Sequence, residues 1–467
     1  MSSSASVSSS GERECRHVAR PIIPLALLAM VLSGTAARAQ QAQVGGFLQL
    51  DRRVSLADSV RLADFYNVFR PEFGASFEGR AEVVVSVDMR FHDFTNVRST
   101  DDLDSADSHF PNSVTAWEAF ARVSGFVIEP LDVTVGKQRI QWGAADGLNP
   151  TDRFNAYDLS DLTDFTARIP TWAVRAEYYA SDVWWLEAVW TPTAHGPLLP
   201  PGMDDLLAGA GGAAPPVPVA SWEQHFRPPS RRLGNGQYGL KLAGNVAGTD
   251  VSLSYFDGFD GIPAVDRLLF VTPDTASSSP TFDVHAWSAL PRQRVIGGDM
   301  ASEWRGIGLW GEGAVVFPEE IVLLTDLVTQ SDSTRERMVA LDDRPYPTWT
   351  VGGEYTFPGG WYVDLQWAHG LFLERGADQL HDYLVSRFER RLSRETVTLT
   401  LDAALEVAQW SDWSDQLGIG ILPAVVYAPR DNVDFSLGAF IVAGSGSTLF
   451  GRWQDADQAY LRVKASF

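Results

Sequence analysis

The 467-residue chain carries 59 acidic against 37 basic residues, a net charge of −22, which argues against a nucleic-acid partner because phosphate recognition needs clustered Lys and Arg. A mean hydropathy of −0.08 with no second long apolar run excludes a bundle of membrane helices. The only cysteine, Cys15, argues against a disulfide scaffold or a cysteine-ligated metal.

The N-terminus reads as a signal peptide over residues 1–39. Arg13, Arg16, His17 and Arg20 form a basic start, Pro21 to Ser33 a short apolar stretch, and Ala37-Arg38-Ala39 a small-x-small cleavage pattern before Gln40. Residues 40–467 then exceed one ordinary globular core. A membrane barrel escapes that limit, since it grows by adding hairpins. Sixteen Trp and 40 Gly suit a barrel with aromatic girdles and glycine-tolerated bends.

A period of two recurs along the chain. In Glu82 to His92, Val83, Val85, Val87, Met89 and Phe91 oppose Glu82, Ser86, Asp88, Arg90 and His92. Leu131, Val133 and Val135 alternate with Asp132 and Thr134. Lys137, Arg139 and Gln141 then occupy the first set of positions, which predicts a bulge or bend near Gly136. Trp361 to Leu373, Thr396 to Gln409, Val433 to Ala443 and Gln458 to Phe467 repeat the alternation. Each such run sends an oily face one way and a charged face the other.

Tight connections fall at Glu129-Pro130, Ser181-Asp182, Gly248-Thr249, Pro358-Gly359-Gly360 and Pro429-Arg430-Asp431-Asn432. Long polar stretches lie between them, at 93–112, 143–170, 192–236, 259–291 and 317–347. Short turns at one end and long loops at the other predict an all-β, transmembrane antiparallel up-and-down barrel with periplasmic turns and extracellular loops. Parity read back from Phe467 needs a strand over His381 to Arg391 and a turn at Ser393-Arg394-Glu395. It gives about 18 strands, or 16 if the weakly patterned 259–301 contributes none. An amphipathic helix over 376–394 would break that parity.

These features resemble Gram-negative outer-membrane porin-type barrels over the whole of residues 40–467. Phe467, preceded by apolar residues at 459, 461, 463 and 465, matches the signal such proteins present to the barrel-assembly machinery. Val135 to Asp152 (VGKQRIQWGAADGLNPTD) is similar to a strand-plus-loop segment of poorly characterised porin-like proteins. The resemblance implies an outer-membrane location, lipid contacts, no cofactor, and a loop in this part of the chain that folds into the lumen. Asp146, Asn149, Asp152 and Arg153 on that loop would then face Lys137, Arg139 and Gln141 of the wall, a transverse field that sets ion selectivity.

No G-x-S-x-G elbow occurs, and the eight histidines are scattered, so no enzyme is expected. His369 and His381 near Asp378 and Asp382 form the one His-carboxylate grouping and read as a polar rim. Asp101-Asp102-Leu103-Asp104 lacks the spacing of a calcium loop. The tract 196–220, rich in Gly, Pro and Ala, reads as a flexible loop. The expected function is a passive channel for small hydrophilic solutes or ions, lined by Glu82, Asp88, Arg90, Asp364, Asp402, Glu406, Arg462 and Lys464 and mildly cation-preferring. Two alternatives stay open: an accessory barrel moving lipids or hydrophobic compounds with an inner-membrane exporter, and a plugged structural or surface-interaction barrel. The patterning identifies no subunit interface, and a homo-oligomer remains compatible with it.

Overall fold

The computed structural model describes residues 41–56, 61–92, 113–198, 219–230, 232–272, 281–328 and 333–467. The segment 1–39 expected to be a signal peptide, the 93–112 stretch with its aspartate cluster, and most of the 196–220 tract lie outside the described residues. Seven strands run up and down in succession: β1 (Gln41–Ser55), β2 (Arg61–Phe77), β3 (Ala81–His92), β4 (Ser113–Val123), β5 (Leu131–Gln138), β6 (Thr171–Tyr179) and β7 (Trp184–Thr191). An excursion containing β8 (Val219–Arg227) precedes β9 (Gln237–Val246) and β10 (Thr249–Phe259). A second, with β11 (Ala264–Val271) and β12 (Phe282–Ala289), precedes β13 (Arg292–Trp304) and β14 (Ile307–Pro318). A third holds β15 (Ile321–Val328) and β16 (Ser333–Leu341). The wall is completed by β17 (Tyr346–Thr356), β18 (Trp361–His369), β19 (Asp382–Leu392) and β20 (Val397–Val407). Three strands end it: β21 (Leu417–Arg430), β22 (Val433–Gly444) and β23 (Gln458–Ser466).

Eighteen of these strands form one antiparallel sheet, which settles the choice between 18 and 16. It closes where β1 pairs with β23, from Phe47 opposite Ser466 to Ser55 opposite Gln458. Closure leaves no edge strand, as a bilayer demands. Beyond the seam, the Phe467 amide donates to the Gly46 carbonyl (3.0 Å) and its ring stacks on Phe69. The expected short turns all lie at one end, including Ser393–Glu395, where three successive non-glycine residues adopt positive φ. His381 to Arg391 is strand, not helix.

The period-two pattern sorts as expected from a lipid-facing exterior. Leu253, Trp361, Leu365, Trp367, Leu401, Phe435, Leu437 and Leu461 are exposed, whereas Asp88, Asp364, Gln366 and Glu406 between such positions are buried. Their burial reflects a filled lumen. Two apolar clusters sit inside the wall, one around Ile140, Trp142, Phe154 and Phe256 and one around Leu162, Tyr383, Phe440, Leu449, Phe450 and Trp453.

The stretches 192–236, 259–291 and 317–347 are more than the loops the sequence suggests. Five of their segments build a separate sheet in the order β16-β15-β11-β12-β8. The β11–β15 and β12–β8 pairs are parallel. Parallel neighbours arise because the paired strands come from different excursions, and only antiparallel partners can be joined by a tight hairpin. Phe270, Phe282 and Val284 form its small core, with Trp222, Leu268 and Leu327 against it.

Candidate functional site: the lumen and its inserted loop

Past β5 the chain does not return at once to β6. Residues 139–170 turn into the lumen and are held on two sides. Gly143 and Gly147 both take positive φ, where a side chain is strained. A Cβ on Gly143 would also strike the Glu312 carboxylate. That carboxylate, on β14, is the first anchor. It accepts from the backbone amides of Ala144 (3.0 Å), Ala145 (3.2 Å) and Thr151 (2.7 Å). Asn149 Nδ2 (3.1 Å) and Thr151 Oγ1 (2.7 Å) also donate to it. Nearby, Thr350 Oγ1 donates to the Leu148 carbonyl (2.8 Å) and Gln366 Nε2 to that of Asp146 (3.0 Å).

The second anchor is a ladder of ion pairs on β1, β2, β3 and β23. Asp88 lies between Arg70 (3.0 Å) and Arg90 (2.7 Å), and Arg90 reaches Asp158 of the loop (2.6 Å). Arg90 Nη1 also donates to Ser160 Oγ (2.9 Å), and Arg70 lies over the Trp117 ring. Asp51 joins Arg53 (3.1 Å) and Arg462 (2.7 Å), and both guanidiniums reach Asp161 (3.0 and 2.7 Å). Four carboxylates thus meet four guanidiniums. Burial alone would push the Asp161 carboxyl up, but Arg53, Arg462 and two hydrogen bonds from Thr163 outweigh it and hold it below the usual range. Farther along the loop, the Arg168 guanidinium lies 3.2 Å from the centroid of the Tyr157 ring, which stacks on Phe372 at 3.7 Å.

A third cluster braces other lumen-side segments. Glu406, with no exposed surface, accepts from the amides of Leu449 (2.7 Å) and Phe450 (3.0 Å) at the start of the short helix Leu449–Arg452. His381 Nδ1 lies 2.7 Å from Glu406 and 3.1 Å from Glu374, and Tyr383 donates its hydroxyl to Glu374 (2.6 Å). Burial pushes Glu374 up. The same burial would lower His381, yet the two glutamates outweigh it and raise the imidazole above its ordinary value. His369 instead meets Asp382 (3.0 Å), and Asp378 pairs with Arg344 (2.6 Å), so the four groups expected as one rim belong to separate contacts.

A cavity of about 480 Å³ remains between the inserted loop and the β18–β22 wall. Leu148 and Phe165 line it from the loop, and Leu422, Phe440, Phe450 and Trp453 from the opposite side. Its polar margin holds Asp146, Asp364, Gln366, Arg387 and Asp402. Arg387 and Asp402 neutralise each other at 2.7 Å. Asp364 Oδ2 and Gln366 Oε1 are buried acceptors with no hydrogen-bond partner among the described residues.

The expected lining residues therefore have distinct placements. Asp88, Arg90 and Arg462 hold the loop, and Arg139 holds Asp152 and Asn155 (2.9 Å to the latter). Asn149 is a Glu312 ligand, Arg153 Nε donates to the Pro150 carbonyl (2.7 Å), and Gln141 and Asp146 are exposed. Glu82 is exposed beside the Glu78–Arg80 turn, opposite Ser76 and Arg122. Lys464 lies 4.7 Å from the Phe47 ring centroid. Lys137 differs from expectation. The register runs unbroken through Gly136, placing Lys137 opposite Trp172 on the outward set, and its Nζ donates to the Ala116 carbonyl (2.6 Å). Gly136 takes φ +136° and lets β4 approach closely, without shifting the phase. The sequence missed Glu312, Asp51 and Arg53. Glu312 in GLWGEGAVV was legible as a lone charge on a strand, but its partners lie more than 160 positions away.

Several solved outer-membrane channel structures are similar over nearly their whole length. OccAB3 of Acinetobacter baumannii is 10% identical with a TM-score of 0.49, covering 91% of this chain and 99% of that one. OccK11 (OpdR) of Pseudomonas aeruginosa is 8% identical with a TM-score of 0.49, covering 91% and 96%. Salmonella typhi OmpF, solved with daunomycin, is 9% identical with a TM-score of 0.41, covering 92% and 99%. No curated protein matches the chain. Residues 63–325, more than half of the sequence, match a family described as "protein of unknown function (DUF1302)", and to that family the chain belongs.

Proposed function

We propose that the protein is an outer-membrane channel whose substrates pair an apolar body with a hydrogen-bond-donating or positively charged group. The supporting observation is the cavity beside the inserted loop. Apolar side chains make up much of its lining, while its margin presents the unpartnered acceptors of Asp364 and Gln366 next to the exposed Asp146. Phe440, Phe450 and Trp453 belong to the buried apolar cluster, and the parts of them that line the cavity are better covered by the apolar body of a solute than by water. A ligand donor placed on Asp364 and Gln366 would relieve the cost of leaving buried acceptors unmade. The signal peptide, the Phe467 signal to the assembly machinery and lipid contacts of the outer face complete this reading. It narrows the small hydrophilic solutes expected from sequence to amphipathic ones.

The test is a planar-bilayer and liposome-swelling comparison of the refolded protein. Benzylamine is expected to permeate faster than benzoate or glucose and to block the ion current transiently. Asp364→Asn is expected to remove the preference for the amine over benzyl alcohol. Absence of conductance steps would sink the channel reading, and equal permeation of amine and benzoate would sink the substrate class. The apolar wall also favours one competitor, an accessory barrel for lipids or hydrophobic compounds. That reading predicts co-purified lipid in native mass spectra and no amine block.

A further inference from the structure

The separate sheet carries a cluster that the barrel does not use. Glu223 and His225 sit two residues apart on β8, so they share a face. The parallel register with β12 sets His285 opposite Glu223 and Trp287 opposite His225. Three potential ligand groups therefore converge on one side of two adjacent strands. His285 Nδ1 is 2.9 Å from a Glu223 oxygen and His225 Nε2 is 3.7 Å from the other. The two imidazoles stack at 5.8 Å with an interplanar angle of 15°, and His225 also stacks on Trp287 at 5.0 Å. All three ligand atoms lie within 4.8 Å of one another.

The geometry points to a binding site for a borderline divalent transition-metal ion, of the Zn²⁺ class, held by His225, His285 and Glu223. Two imidazole nitrogens and a carboxylate oxygen are the donor set such ions prefer, and a carboxylate balances part of the charge. Tetrahedral coordination at zinc distances places ligand atoms about 3.3 Å apart. Reaching that from the observed arrangement takes a rotation of the exposed Glu223 side chain and a turn of at least one imidazole, because the nearly parallel ring planes do not aim both nitrogen lone pairs at one point. Trp287 stacked against both rings limits their swing, which lowers the ordering cost of binding. The fourth position is left to water or to a group on an incoming ligand. The other grouping of this kind among the described residues, Glu374, His381 and Glu406, differs. Its carboxylates are already engaged by backbone amides and Tyr383, which suits a brace.

Calorimetric titration of the refolded full chain with Zn²⁺ alone tests the assignment, beside His225→Ala/His285→Ala, Glu223→Gln and His381→Ala. Heat-modifiable migration of the barrel checks folding, and the cluster lies outside the barrel wall. The expected result is one ion fewer per chain in the double variant, with Glu223→Gln weaker by roughly tenfold or more and His381→Ala unchanged. X-ray absorption of the loaded protein should show imidazole scattering that the double variant lacks. Binding should weaken in acid, because protons compete with the ion for the same ligand atoms. Equal stoichiometry and affinity in the wild type and the double variant would overturn the site, as would no binding at all. Neither result bears on the channel reading, which the bilayer measurements address.

Discussion

The two sides of the lumen meet the inserted loop by different chemistry. Towards β1, β2, β3 and β23 the contact is ionic: four guanidiniums and four carboxylates leave little charge uncompensated. Towards β18–β22 the contact is apolar and incomplete, and there the cavity remains. A paired charge ladder is costly to open, since breaking one partner strands another in a poorly solvated site. An apolar wall loses much less when a ligand replaces a neighbour, because the ligand restores the buried area. The ionic side is thus suited to fix the loop, and the apolar side to let a solute pass.

Glu312→Ala should break this division most severely. It strands three backbone amides and two side-chain donors, and with each buried donor left unmade costing about 1–3 kcal/mol the loop anchor weakens by more than one such bond. The expected readouts are larger, noisier single-channel conductance and new proteolysis within residues 143–153. A conductance identical to wild type would show that the loop is held by the ladder alone.

Asp161→Asn should have a smaller effect, of about 1–3 kcal/mol, and it carries a pH signature. Because the folded carboxyl sits below its ordinary value, the pairing stabilises the loop fully above that ordinary value. The stabilisation fades as pH falls through the lowered one. Protection of the amides of residues 155–165, taken relative to intrinsic exchange at each pH, should therefore fall from about pH 4 downward in the wild type. The variant should show the faster exchange already at neutral pH and little further response.

Ala404→Trp tests the apolar side by filling the cavity it borders. Amine permeation should fall while the exchange of the ladder segment stays as in the wild type. Smallest of all, Lys137→Glu should leave ion selectivity unchanged, as its register faces outward, whereas Arg139→Glu, which loses Asp152 and Asn155, should disturb both loop and selectivity. A selectivity reversal by Lys137→Glu would restore that lysine to the lumen.

The barrel was legible from sequence because its governing pattern is local. Alternation over Thr396 to Gln409 or Gln458 to Phe467 fixes which residues face lipid, and turn residues fix where strands reverse. Strands of the second sheet escaped because they find parallel partners in other excursions, pairings that no tight hairpin turn announces. Lys137 was misplaced because a charged residue after an apolar run reads as a phase change, while pairing with β4 and β6 decides the phase.

What the sequence by itself determined is the closed wall: its strands, its turns and the faces they present. Tertiary structure alone decided how the lumen is used. Glu312 and Thr151, or Arg462 and Asp161, are brought together across 161 and about 300 positions by barrel closure and loop insertion. No local periodicity records those meetings, because the energy that selects them comes from desolvated charges that exist only after the wall has closed.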